Sequence, residues 1–278
     1  MPAIVQTYLF GRLNIIGAWS DKRDFIFQGL TMGEFQIKGI FRYSFFNTRN
    51  LVHDGEEFVY GSLVKYKQIL EGKVVDEETH QLVEDGLPLG VVAESDFFLH
   101  YQTTVIAFRP IANRLSPYQF REMFARLFET GHQNFFISAK LQSINEEYRL
   151  QEAIRSFQKI NRVTFDIHPT NPSNREVYQK IDERLKNLQA SRMRQIVEGG
   201  ERGINKDILI QDETYPSLLM AIDGYGRGSI KGQIDGITVE INTDDSPVRQ
   251  QIAHSADPKQ ILYQLMPAFR RIWDRKSK

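Results

Sequence analysis

Hydrophobic positions follow two periods along this chain. In the first third they predict strands: Val5 to Ile16, Phe35 to Phe46 and Glu57 to Tyr66 are rich in β-branched and aromatic residues. From Phe41 onward the alternation sets Tyr43 and Phe45 opposite Arg42 and Ser44, the pattern of a half-buried strand. Residues 72–90 carry Asp76, Glu77, Glu78, Glu84 and Asp85 and read as a solvated acidic loop. That loop divides a β-rich region, 1–90, from an α+β region, 91–278, and is also compatible with one continuous domain.

Beyond it the period changes. Phe97 to Tyr101 and Thr104 to Phe108 predict paired strands or one bent strand. A helix then starts at Ser116, a capping residue, with Pro117 at its first position. Phe120, Phe124, Leu127 and Phe128 share its core face. Phe135 to Leu141 reads as a strand, Glu146 to Phe157 as a helix and Arg162 to Ile167 as a strand, which completes a central β-α-β-α-β unit. From Asn171-Pro172-Ser173 a long helix is expected to about Val197, with Val177, Ile181, Leu185 and Leu188 as its apolar stripe and Gly199-Gly200 as its stop. Ser217 to Ile222 suggests a short helix. Ile230 to Ile241 reads as a hairpin, because Asp235-Gly236 tolerates the positive φ angles of a tight turn. A final helix starts at Asp257-Pro258 and buries Ile261, Leu265, Phe269 and Ile272, with Pro267 expected to kink it. The fold class is therefore α+β, with mixed or antiparallel sheets.

Composition narrows the function. The chain has 278 residues, 41% of them hydrophobic, enough for a substantial core. Lys plus Arg and Asp plus Glu number 35 each, so a surface for nucleic acid has to be local. There is no cysteine, which removes disulfides, zinc ribbons, iron–sulfur clusters and thiol nucleophiles together. No apolar run reaches the roughly 20 residues that cross a bilayer, and the amino terminus, interrupted by Arg12 and Asn14, reads as a strand and not a signal peptide. A cytoplasmic protein without a cofactor is expected.

No recognisable catalytic motif emerges. The six histidines are dispersed, and none forms an HExxH or HxH spacing. Asp166-Ile-His168 would project two side chains from one face of a strand end, where they could hold a divalent metal or act as base and orienter. Glu94-x-Asp96 and Asp244-Asp245 offer paired carboxylates; solvated edge acids are the plainer explanation. Ser62 and Lys65 have the spacing of a serine–lysine pair, but on a strand they face opposite ways. Gly224-Tyr-Gly226-Arg-Gly228-Ser-Ile-Lys-Gly232 fits no phosphate-loop pattern and reads as a flexible lead into the hairpin, with Arg227 and Lys231 able to reach a phosphate. Lys38 to Phe45 matches an RNA-recognition strand only loosely, and core packing explains its aromatics better. Lys180, Arg184 and Arg194 lie on the polar face of the expected long helix, interrupted by Glu176 and Glu183. Arg270, Arg271, Arg275 and Lys276 cluster on the last helix with few acids near in sequence, and form the expected local nucleic-acid site.

Three stretches carry a family resemblance: the Leu115-Ser116-Pro117 helix start after the Phe97 to Phe108 strands, Asn161 to Pro172 (with the residue before it, INRVTFDIHPTNP), and the closing hairpin with Asn242-Thr243-Asp244-Asp245-Ser246-Pro247. On these the chain resembles an uncharacterised bacterial family catalogued as a domain of unknown function, mainly from about residue 90. Its element order is also similar to RexA, the lambda phage exclusion protein, and to the KwaB subunit of the Kiwa defence system. That second resemblance implies a non-enzymatic, homodimeric sensor or effector of anti-phage defence that binds nucleic acid, DNA before RNA, or a phage or host protein. It transfers no binding residue, and fold alone does not fix function. Two alternatives stay open: a metal-dependent nuclease or toxin built on Asp166 and His168 or on Asp244 and Asp245, and an interaction subunit of a larger complex.

Overall fold

A computed structural model describes residues 5–16, 21–32, 34–37, 41–67, 72–76, 81–85, 90–132, 137–170, 175–211 and 214–277. The first half runs β1 (Val5–Ile16), α1 (Lys22–Thr31), β2 (Glu34–Ile37), β3 (Phe41–His53), β4 (Glu56–Lys67), β5 (Gly72–Asp76), β6 (Gln81–Asp85), β7 (Gly90–His100), β8 (Val105–Phe108) and α2 (Pro117–Gly131). Next come β9 (Ser138–Ser143), α3 (Glu147–Ser156), β10 (Lys159–Ile167), α4 (Gln179–Asn187) and β11 (Met193–Glu198). The chain continues with α5 (Lys206–Gln211), α6 (Thr214–Met220), β12 (Gly226–Ile234), β13 (Ile237–Asn242), β14 (Arg249–Ala253) and α7 (Pro258–Trp273). The fold is α+β, with antiparallel pairing throughout.

The larger sheet has the order β14-β1-β8-β7-β4-β3-β2, with β9 also on β1. Helices cover both faces, so β1 is buried almost end to end. Leu9, Leu13 and Ile15 join the core under α1 and α2, while Tyr8 and Phe10 join the core under α7. The α2 stripe is as expected: Phe120, Phe124, Leu127 and Phe128 are all buried. Ser116 and Gln119 close a capping box at its start. On α7, Asp257 caps the Lys259 amide, and Ile261, Leu265, Phe269 and Ile272 are buried. The helix runs through Pro267 as one element.

The smaller sheet, β11-β10-β12-β13, has one apolar face. Val163, Phe165, Ile167 and Ile230 pack there with Leu150, Ile154, Leu185 and Leu218 from the helices. The sheets meet through the two polar residues that interrupt the first strand. Arg12 Nε donates to the Asp223 carbonyl at 2.7 Å and Asn14 Nδ2 to the Gly224 carbonyl at 2.6 Å, both on the turn after α6.

Several expectations need correction. Phe35 to Phe46 is two paired strands, β2 and β3, with Phe35 opposite Tyr43; residues 38–40 lie outside the described residues. Within 72–90, β5 pairs with β6, while residues 77–80 and 86–89 lie outside the described residues. β4 pairs with β7 across this stretch, so one sheet draws on both sides of residue 90. The β-α-β-α-β order holds along the chain, but β9 joins the larger sheet and β10 the smaller.

The long helix is not formed. Residues 171–174 lie outside the described residues; α4 ends at Asn187, and Gln189 reverses the chain at φ 52°. Residues from Met193 then pair with β10 as β11. Ile181 and Leu185 pack inward, but Val177 and Leu188 are exposed, so the apparent stripe is two residues deep. Ile196 and Val197 are β-branched, and a waiting strand edge outweighs their place in a helical pattern. Gly199-Gly200 accordingly follows a strand.

Candidate functional site: a charged basin on the open face of the small sheet

The glycine-rich stretch from Gly226 on is strand β12, not a flexible lead. Its glycines alternate onto the helix-covered face, where side chains have no room. A Cβ at Gly232 would stand 2.3 Å from the Lys159 carbonyl oxygen, and one at Gly228 2.9 Å from Leu218. Alternation then puts Arg227, Ser229 and Lys231 on the opposite, open face. Asp235 and Gly236, at φ 50° and 78°, turn the chain into β13 as predicted.

Register arranges that open face in rows across the strands. Asp166 stands directly between Arg194 of β11 and Arg227 of β12. The next row is Ile196, Thr164, Ser229 and Asn242; the one after is Glu198, Arg162, Lys231 and Glu240. Around the first two rows opens a basin of about 530 Å³, walled by Arg192 and by the turn Thr243–Asp245. Thr243 Oγ1 accepts the Gly228 amide at 2.9 Å, and Asp245 Oδ2 accepts the Asn242 amide at 2.7 Å, which pins the turn to the sheet.

The charges are unevenly satisfied. Arg192 forks onto Asp166, its Nε at 2.5 Å from Oδ1. Burial alone would raise the Asp166 carboxyl; the Arg192 hydrogen bond and charge overcome it and hold the group below the usual range. Asp244 is shifted the other way, raised by burial against the opposing pull of Arg121, at 3.5 Å, and Arg227. Its Oδ1 is closed off from solvent and receives no hydrogen bond among the described residues. Arg194 and Arg227 are exposed and make no ion pair among the described residues.

Behind the basin, His168 is buried. Its Nδ1 lies 2.8 Å from the Ser191 carbonyl and its Nε2 3.1 Å from Lys140 Nζ. An Nδ1–H tautomer satisfies both contacts, donating to the carbonyl and accepting from the ammonium. Burial lowers His168 despite the Ser191 contact; burial, then Arg192, lowers Lys140.

The sequence-derived candidates fall into three groups. Asp166, Asp244, Asp245 and Arg227 are brought to one basin, which was not legible from their spacing. His168 is engaged elsewhere, and Lys231 sits two rows from Asp166, opposite Arg162 and Glu240. The carboxy-terminal cluster is tied into the fold: Arg270 pairs with Asp54 at 2.6 Å, Arg271 with Glu146 at 3.1 Å and Arg275 with Asp223 at 3.1 Å. The Lys276 side chain lies outside the described residues. Asp96 pairs with Arg109 at 3.1 Å and accepts from Ser62, while Lys65 donates to the Arg114 carbonyl.

Arg192 has no assigned role in the sequence pattern, and Arg194, expected on a helix, lies on β11. Thr164, Ser229 and Thr243 also passed unmarked, and the available signal was the period-two spacing of 192/194 and 227/229/231. Among the described residues no three His, Asp or Glu side chains are placed to hold a metal, and no helix is long and apolar enough to cross a membrane.

No curated protein matches the chain. A family model does, over residues 34–266, and on that span the chain belongs to the family described as Domain of unknown function (DUF4747).

Proposed function

We propose that this protein is a non-enzymatic, cytoplasmic binding protein for nucleic acid, and that it engages phosphates in the basin. The observation that carries the reading is the row Arg194, Asp166, Arg227, beside Thr164, Ser229 and Asn242. Two exposed guanidiniums, which fork bidentately onto phosphate oxygens, stand next to hydroxyl and amide donors in a concave site. None of the open-face residues in the three rows is aromatic, so this face supports contact with phosphate and not base stacking. The part of the reading that concerns anti-phage defence, with DNA before RNA, rests on the element order read from the sequence and its resemblance to RexA and KwaB, and a homodimer is the expected assembly.

The test is a titration of double-stranded DNA and single-stranded RNA at two salt concentrations. Phosphate contacts release counterions, so binding should weaken steeply with salt. Absence of binding to either nucleic acid at low salt would refute the proposal.

A second reading, a metal-dependent nuclease, draws only on the adjacent carboxylates of Asp244 and Asp245 at the basin, since Asp166 is occupied by Arg192 and no three such side chains among the described residues are placed to hold a metal. It requires cleavage that depends on magnesium or manganese and is lost in Asp244→Ala. Intact nucleic acid after incubation with either ion would remove it.

A further inference from the structure

The positive excess of the open face is confined to one row. Arg194 and Arg227 stand two strand spacings apart, about 10 Å between Cα positions, near enough for both forks to meet over one anion above Asp166. Moving along the strands, the third row lies about 13 Å away and is balanced, with Glu198 and Glu240 flanking Arg162 and Lys231. Arg162 is itself ion-paired with Glu198. On the wall formed by the turn, Asp245 sets an exposed carboxylate beside the basin, while Asp244 has one oxygen closed off from solvent and the other on Arg121. A continuous polyanion laid over this face would leave the arginines and meet acids.

A compact ligand with a concentrated negative end avoids this. If it also carries hydroxyl or amino donors, the Asp245 carboxylate becomes an acceptor for it. The basin volume of about 530 Å³ lies within the range of small-molecule sites.

We infer that the basin recognises a terminal phosphate monoester of a nucleotide: the phosphate held by Arg194 and Arg227, with sugar or base donors turned toward Asp245. This rests on the basin being the phosphate site, and it sharpens that reading from the interior of a strand to its end. A monoester carries a charge of about −1.5 to −2 at neutral pH, more than an internal diester, so it gains most from two converging guanidiniums. A 5′-phosphorylated strand end and a free mononucleotide present the same chemistry, and the two sources are separable.

The experiment compares one fluorescent single-stranded DNA bearing either a 5′-phosphate or a 5′-hydroxyl, with adenosine monophosphate as unlabelled competitor, on wild type, Arg227→Ala and Arg227→Lys. The 5′-phosphate should bind about tenfold tighter or better, the advantage should vanish in Arg227→Ala, and Arg227→Lys should restore part of it. Competition by the monophosphate without a strand-end preference supports the same site with free nucleotide as its source. Equal binding of both strands with no competition, while Arg227→Ala still weakens them, overturns this inference and leaves the nucleic-acid reading standing. Failure of wild type to bind any probe, or indifference to Arg227→Ala, removes both. Arg227 is an exposed strand residue, and an unchanged melting temperature confirms that its variants fold.

Discussion

Replacing Asp223 with alanine tests whether the two sheets are held together by a buried ionic junction. The Asp223 carboxylate, 4% exposed, accepts from Arg175 at 3.3 Å, from the Tyr178 hydroxyl at 3.1 Å and from Arg275 at 3.1 Å. Its main-chain carbonyl accepts from Arg12 of β1, and Arg275 follows α7. Removing one partner of a buried pair costs about 3–5 kcal/mol, because the other charge is left desolvated. Here the lower figure applies. Arg175 keeps Glu147 at 2.9 Å, and Arg275 keeps Glu146 at 3.7 Å. About 3 kcal/mol should lower the melting temperature by about 6–12 °C. Asp223→Asn should lose nearly as much, since it keeps an acceptor for Tyr178 but no charge. The assay is thermal or urea unfolding followed by circular dichroism. In a double-mutant cycle, Asp223→Ala and Arg275→Ala should be non-additive by about 1 kcal/mol or more, as partners in one network. A loss below about 1 kcal/mol for Asp223→Ala, or simple additivity, would refute the junction.

Gly232→Ala should destabilise by about 1–3 kcal/mol through its clash with the Lys159 carbonyl, whereas Gly236→Ala, with open space around it, should lose only about 1 kcal/mol from its positive φ; urea midpoints separate the two. Ser116→Ala, which breaks the capping box of α2, should cost about 1 kcal/mol by the same measurement. His132 and His168 both titrate below their ordinary value in the folded state through burial, so the unfolded chain takes up protons first as pH falls. Their contribution is complete above about pH 6.5 and is lost as pH drops through the folded values. Urea midpoints at pH 7.5 and 5.5 should therefore fall with acid, and less so in His168→Asn; an equal fall in wild type and variant would contradict this.

The sequence revealed best what local chemistry decides. The α2 start at Ser116-Pro117, the Asp235-Gly236 turn and the α7 stripe each depend on residues within a few positions, and each formed as expected. The end of α4 was hidden because Leu185 and Leu188 continue a helical spacing, while the strand that claims Met193 to Glu198 is β10, contributed from upstream. The basin was hidden for the same reason. Asp166, Arg194 and Arg227 become neighbours only through the register of three strands, and no short motif encodes that register. The ion pairs of the carboxy-terminal arginines were equally hidden: few acids lie near them in sequence, yet Asp54, Glu146 and Asp223 reach them from distant elements.

The most direct test of the central claim compares two double variants in one salt titration of DNA binding: Arg194→Ala with Arg227→Ala in the basin, and Arg270→Ala with Arg271→Ala on α7. If the basin holds the phosphate, the first pair weakens binding by about tenfold or more and flattens the salt dependence, while the second pair leaves both close to wild type. The reverse pattern would move the site to α7 and contradict the account.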